Sequence, residues 1–487
     1  MNLNIRLVIK MLSFVILLLA IAMLPSLLVS LIYREFSTAI AFIKIIVPLL
    51  IFGYITAYRV KTISTKLGLR EGFLIVALSW LSASLLGSFP YLLTDTIDGF
   101  VNAFFESTSG FTTTGASVIS DIENLPKGIL FWRSFCQWIG GMGILIFAIS
   151  ILPALGISGQ RIARAETPGP SLNKVVPRMS DSAKILYAIY IAFTLAAVAL
   201  LLAGGLNPFD AFIAAFGSVA SGGLSNYNLG IAHFNSSYVE GVSALFTILS
   251  CVNFTLYYSA IRGKWHDFFT DRELWAFLLV LCAGAVLITG NLWHTGSYSS
   301  FAESLRFGFF QTSAFLTTTG HFSADFNLWP AFSKMVLFLL MLIGGCSSST
   351  GGGIKIIRIV ILFKLIQRGF FVRLHPRAIV PVKIQGKIIS TEVMTGVMSF
   401  LCLYVFVFLL SSLVLSFENL DLLTTFTATA AVLNNVGTGL ELVGPTGSFA
   451  LFSDFTKIYL SFLMLMGRLE LFTIILLFTP SFWNPDR

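Results

Sequence analysis

The sequence predicts an all-α polytopic membrane protein with two leading helices and four helix–loop–helix repeats about a pseudo-fourfold axis. Three observations lead there. Of 487 residues, 56% are hydrophobic and only 11% charged, against about 25% charged in soluble domains. Many apolar runs reach the roughly 20 residues that a helix needs to cross hydrocarbon. Finally, four glycines, Gly115, Gly223, Gly320 and Gly437, recur in one local frame. Eleven residues before each stands a phenylalanine: Phe104, Phe212, Phe309 or Phe426. Twelve before stands a small residue (Ala103, Ala211, Gly308 or Thr425), and four before an apolar one (Phe111, Val219, Leu316 or Leu433).

Residues 1–70 carry the two leading helices, near Leu7–Ile32 and Thr38–Tyr58. Ala20-Ile21-Ala22 resembles a signal-peptidase site, but the apolar run continues to Ile32, too long for a usual signal segment. It reads as a retained transmembrane helix. A basic loop follows, with Arg59, Lys61, Lys66 and Arg70.

The four repeats span residues 71–160, 182–262, 274–371 and 388–482. Each reads as a long apolar helix, a short semi-polar helix, a glycine loop and a second long helix. The third repeat's second helix is broken. Arg161, Arg164, Lys174 and Arg178 follow repeat one; Arg262, Lys264 and Arg272 follow repeat two; Lys364, Arg368, Arg373, Arg377, Lys383 and Lys387 follow repeat three. By the positive-inside rule these loops are cytoplasmic. The acids near the glycine loops, such as Asp98, Asp121, Glu303 and Asp421, then face outside. Two leading spans plus two per repeat place both termini in the cytoplasm. This distribution accounts for the net charge of +8 without nucleic acid. Anionic membrane lipid is a natural neighbour of the basic loops.

The short helices carry start signals. Asp98, Asn207 and Asp421 stand where N-caps should, and Ser299-Ser300 takes that place in the third repeat. At about three turns these helices cannot span, so they are expected to be re-entrant and buried in protein. The five cysteines (Cys136, Cys251, Cys282, Cys346, Cys402) lie in apolar stretches without a Cys-x-x-Cys pair, and read as packed helix residues.

The loops carry the candidate chemistry. A filter for a bare cation needs oxygen ligands that replace water, and backbone carbonyls supply them if the loop turns them inward. Glycine permits the backbone angles and leaves the axis clear. The candidate ligands are the backbone carbonyls of Thr113, Thr114 and Gly115; Ser221, Gly222 and Gly223; Thr318, Thr319 and Gly320; and Asn435, Val436 and Gly437. The short helices would aim their partially negative C-terminal ends at the centre, which favours a cation. One such loop alone reads better as a tight turn. Four in register between long apolar helices read as a filter.

Two anomalies remain. Residues 344–353 (GGCSSSTGGG) interrupt an apolar helix. Glycine costs about 1 kcal/mol per residue in a helix, so Gly344, Gly345, Gly351, Gly352 and Gly353 should unwind it. Irregular backbone at membrane depth needs protein or water around it, and the space below the filter is available. A kink packed between helices is the alternative. Lys355 and Arg358 stand just beyond, on the cytoplasmic side, placed to snorkel or to meet a partner. Arg468 sits deep in the last long helix. A charge there should face water or a partner. The permeation path is one answer; an internal salt bridge is the other, although Glu470, two residues away, is badly placed on a helix.

Enzyme chemistry finds little support. The run Ser347–Thr350 offers hydroxyls, but Gly-x-Ser-x-Gly, His-Glu-x-x-His and nucleotide-binding loop patterns are missing from the sequence. A polytopic membrane enzyme is the remote alternative.

With these features the chain resembles a TrkH-type subunit of the Trk/Ktr/HKT potassium transporter superfamily. The resemblance covers nearly the full length: leading helices, four repeats, broken helix and late arginine. It implies a potassium-channel-like pore and potassium uptake across the bacterial inner membrane, with potassium as permeant ion and no cofactor in this chain. Glycine in all four loops accompanies potassium selectivity in that family, whereas a serine in the first loop accompanies sodium transport in some plant members; here Gly115 stands there. No loop carries the Thr-Val-Gly-Tyr-Gly string of potassium channels, so looser selectivity and rubidium passage are expected. The resemblance further implies that the 344–353 loop obstructs the cavity and moves to open it, with Arg468 beneath the filter. It also implies a homodimer with a cytosolic, nucleotide-binding TrkA-type regulatory subunit. A proton- or sodium-coupled potassium symporter remains the alternative mechanism.

Overall fold

The computed structural model describes residues 3–60, 68–143, 179–378 and 380–484. Lys61, Lys66, Arg161, Arg164, Lys174 and Arg178 lie outside the described residues. Among the described residues, six helices are long and apolar enough to cross a membrane: Ile5–Ile32, Phe36–Arg59, Leu69–Leu93, Lys184–Ala203, Arg272–His294 and Thr391–Glu418. The first leading helix is jointed, because Pro25 starts a new segment at Leu24–Ile32 after Ile5–Ala22.

Polarity is distributed inside out. Ser107, Thr108, Thr312, Thr317 and Asn434 are buried, while Leu279, Val286 and Phe406 on the long helices are more than 60% exposed. In water such apolar surface would drive aggregation; in a bilayer it is the face that belongs against lipid. The leading helices share one apolar core with repeats one and four, from Leu7 and Trp80 to Leu460 and Met464. Repeats two and three centre on cores of their own, around Tyr190 and Phe254 and around Phe277 and Phe315.

The short helices form where the spacing places them: Phe100–Phe111, Pro208–Val219, Phe301–Leu316 and Leu422–Leu433. Asn207, Ser300 and Asp421 cap three of them, their side-chain oxygens accepting from Asp210, Glu303 and Thr424 main-chain N–H groups. Asp98 does not cap the first. Gly99, at φ +81°, occupies that position.

The expectation of long second helices needs correcting. In repeat one, Lys127–Gly141 runs only to a left-handed Gly143. In repeat two, Ser237–Cys251 turns by 86° into Phe254–Ile261. Repeat three stops at Ile343 and resumes at Ile356. In repeat four, Asp454–Arg468 turns by 112° into the next segment. The first and third breaks are glycine-rich, at Gly140-Gly141-Met142-Gly143 and at residues 344–353; the second and fourth are not. In the second, Asn253 caps the following helix and the Cys251 carbonyl accepts from Cys346 N–H at 3.0 Å. In the fourth, Glu470 and Leu471 take left-handed backbone at φ +57° and +53°. Long-range bonds make these turns, so apolar periodicity does not reveal them. Among the described residues one strand pair forms, antiparallel Lys383–Ile384 with Lys387–Ile388, turning on Gln385-Gly386 with positive φ at both.

Candidate functional site

Each short helix ends in the same way. Thr113, Ser221, Thr318 and Asn435 adopt left-handed backbone with φ between +54° and +56°. The next residue in each loop then bonds back across the last turn: Thr114 to Ser109, Gly222 to Gly217, Thr319 to Ala314 and Val436 to Ala431, at 2.8–2.9 Å. This is the Schellman termination, which usually recruits glycine. A non-glycine residue there costs about 1–2 kcal/mol. At three of the four positions the side chain makes a hydrogen bond. Ser221 Oγ and Thr350 Oγ1 are 2.6 Å apart, Thr318 Oγ1 accepts from Gly352 N–H at 2.6 Å, and Asn435 Nδ2 donates to Thr114 Oγ1 at 2.9 Å.

The four glycines follow at φ +84°, +74°, +70° and +81°. A Cβ on Gly115 would overlap the carbonyl oxygen of Gly222; on Gly223, that of Thr319; on Gly320, that of Val436; and on Gly437, that of Thr114. Every glycine thus abuts the carbonyl one residue before the next repeat's glycine, and the fourth closes on the first. Of the twelve sequence-derived ligand candidates, these contacts bring together Thr114, Gly115, Gly222, Gly223, Thr319, Gly320, Val436 and Gly437. Outside it a cavity of about 260 Å³ is lined by Gly115, Gly223, Gly437 and Thr438.

The chain returning outward from each glycine is tied to its own short helix, a feature that periodicity did not reveal. Glu106 accepts from Val118 N–H (3.0 Å), Gln311 from Ser323 N–H (3.3 Å) and Thr427 from Leu440 N–H (3.1 Å). In repeat two Asp210 accepts from the Asn226 side chain and, at 2.9 Å, from Tyr227. Each tether meets the third residue after the glycine, or its side chain. Glu106 also pairs with Arg133 at 2.6 Å, both fully buried, and Arg133 reaches across to the Ser225 carbonyl at 2.7 Å. The sequence signal is a polar residue within each short apolar helix: Glu106, Asp210, Gln311 and Thr427.

Beneath the ring lies the glycine-rich loop. Gly344 and Gly353 are left-handed, at φ +78° and +74°. The loop pairs with the broken end of repeat two: Cys346 N–H reaches Cys251 O, Thr350 N–H reaches Ser250 O, and Phe254 N–H reaches Ser348 O. Cys346 therefore belongs to the loop and not to a helix, and Cys282 and Cys402 are exposed and not packed. A Cβ on Gly345 would meet Cys251 Cβ; on Gly351, Cys251 Sγ and Thr317 O; on Gly352, Asn434 O. Glu273 accepts from both Ser347 N–H and, at 2.7 Å, Ser347 Oγ. The loop thus touches the glycine-loop segments of repeats two, three and four.

Repeat one is reached by Arg468. Its guanidinium donates to Thr350 O at 2.9 Å and to the Gly140 and Gly141 carbonyls that end the second helix of repeat one. Glu470 is not its partner but pairs with Arg358 at 2.6 Å. Arg358 also lies over the Phe400 ring, 3.8 Å from its centroid. Lys355 is buried and donates to Gly351 O. Neither Lys355 nor Arg358 snorkels as expected; both hold the loop region from within.

Comparison with known proteins agrees with this architecture. The family model for TrkH, a cation transport protein, matches residues 38–484. The Trk system potassium uptake protein TrkH of Vibrio parahaemolyticus is 37% identical, the match covering 98% of this chain and 99% of that one. The Trk system potassium uptake protein TrkG of Escherichia coli is 36% identical, covering 99% of each. The crystal structure of the potassium transporter TrkH from Vibrio parahaemolyticus superposes with a TM-score of 0.89 over 99% of this chain and 100% of that one, at 35% identity. With short helices, loops and broken helices arranged as above and a match of this extent, the chain belongs to the TrkH family of cation transport proteins.

Proposed function

We propose that this chain takes up potassium across the bacterial inner membrane through a gated pore of its own. The observation that carries the reading is the closed ring, in which each loop's glycine abuts the next loop's carbonyl. Backbone oxygens converging on one axis replace a cation's hydration shell, and the C-terminal ends of four short helices add negative potential. Potassium is the ion named for its relatives. The ring's candidate ligand residues carry no titratable side chain, which favours a channel over proton-coupled symport. The 344–353 loop is the gate, held under the ring by its contacts with three repeats and by Arg468. The basic loops orient both termini to the cytoplasm. There a TrkA-type regulatory subunit, implied by the Trk system names of the relatives, would bias the gate in a homodimer.

Purified protein in liposomes tests this directly. Potassium and rubidium should permeate and sodium and lithium should lag. Current should reverse at the potassium equilibrium potential whatever the proton or sodium gradient. A reversal potential that moves with either gradient would make the protein a coupled symporter.

A further inference from the structure

The ring's backbone repeats, but its seams do not. Gln137, fully buried on the second helix of repeat one, lies between loops one and two. Its Nε2 donates to the Gly222 carbonyl and its Oε1 accepts from Leu224 N–H at 3.2 Å, so one amide brackets Gly223 from both sides. Between loops three and four, Thr438 Oγ1 donates to the Gly320 carbonyl at 2.7 Å. At the seam from loop four to loop one, the Asn435 donor goes to a hydroxyl, Thr114 Oγ1. At the seam from two to three, the buried His321 ring packs against Gly217 and lies close to the Gly223 backbone. Gly222 thus accepts from the Gln137 amide and Gly320 from the Thr438 hydroxyl.

We propose that Gln137 and Thr438 are specificity-determining positioning residues that hold the Gly222 and Gly320 carbonyls sideways. The inference rests on the filter reading above. A carbonyl oxygen has two lone pairs. A lateral donor occupies one and leaves the other for the ion. It also fixes the direction of the C=O, so that the oxygen resists following a smaller ion inward. Discrimination against sodium depends on that resistance, or on the field of the coordinating dipoles, and a lateral bond acts on both. Neither residue touches the axis through its own ligand atoms; each acts through a backbone group.

The test compares potassium-over-sodium permeability ratios of full-length protein in liposomes. Gln137→Glu keeps the length and the acceptor for Leu224 N–H but loses the donor to Gly222 O. Thr438→Val keeps the shape and loses the donor to Gly320 O. Each should lower the ratio on the order of threefold or more, the worth of one net hydrogen bond. The double variant should lower it further. A purely structural role would reduce thermal stability and leave the ratio in place. If Gln137→Glu does not fold, the isosteric Thr438→Val decides. Folded single variants with wild-type ratios overturn the proposal, provided that serine variants of the filter glycines do shift the ratio. If those too leave it unchanged, the filter reading itself fails and this inference goes with it.

Discussion

The Arg468 guanidinium donates to the Thr350 carbonyl at 2.9 Å, fastening the last long helix to the loop beneath the glycine ring. The same side chain bonds the Gly140 and Gly141 carbonyls at the end of the second helix of repeat one. Arg468 is therefore both a positive charge below the ring and a fastening for the loop.

Replacing Arg468 by Ala removes both effects. Hydrogen bonds to a charged group are worth about 1.5–3 kcal/mol each, and about 1.4 kcal/mol is tenfold in an equilibrium. A like charge at about 4 Å from a passing cation costs on the order of 4 kcal/mol at an effective dielectric of 20. Resting rubidium uptake should rise about tenfold or more, with the selectivity ratio retained. Arg468→Lys keeps the charge without the planar fork and should fall between. Unchanged uptake in folded Arg468→Ala protein would remove the arginine from the gate.

The loop itself is tested by one methyl group. A Cβ on Gly352 would overlap the Asn434 carbonyl, so Gly352→Ala should keep the loop from seating. Resting flux should rise, as it should when residues 344–353 are deleted. Low flux in either folded variant would make the segment a kink and not a gate.

Stability behind the glycine ring depends on Glu106 and Arg133, a buried pair at 2.6 Å. Removing one partner of a buried pair costs about 3–5 kcal/mol, because the other charge stays buried alone. Glu106→Gln should lower thermal stability markedly. Glu106→Gln combined with Arg133→Met should recover part of that loss. A single variant that melts like the wild type would show that Arg133 finds another counter-charge.

Much of this was legible in the sequence, for definite reasons. The four glycines and the three polar caps Asn207, Ser300 and Asp421 are local signals, and they fall where the helices end and begin. The glycine cluster at 344–353 announces a break because it lacks helix propensity. The breaks after Cys251 and Arg468 were hidden. Their local signals, a lone Asn253 and a lone Gly467, are weak, and both breaks are held by contacts with Cys346 and Arg358, some 100 residues away in the chain. Gln137 and Glu273 carry no local signal of their roles: each polar side chain shows its purpose only when its partner, Gly222 or Ser347, is in place. Lys355 and Arg358 were read as cytoplasmic by their charge alone, whereas their carbonyl, carboxylate and ring partners allow them to be buried.

The central claim is that four loops form one selective ring. The most direct measurement is the potassium-over-sodium permeability ratio of Gly115→Ser, Gly223→Ser, Gly320→Ser and Gly437→Ser proteins, each reconstituted and shown to be folded. A side chain at any of these positions would overlap a carbonyl of the next loop and force that oxygen to move. The account predicts a lower ratio in all four. Wild-type ratios in all four folded variants would contradict it.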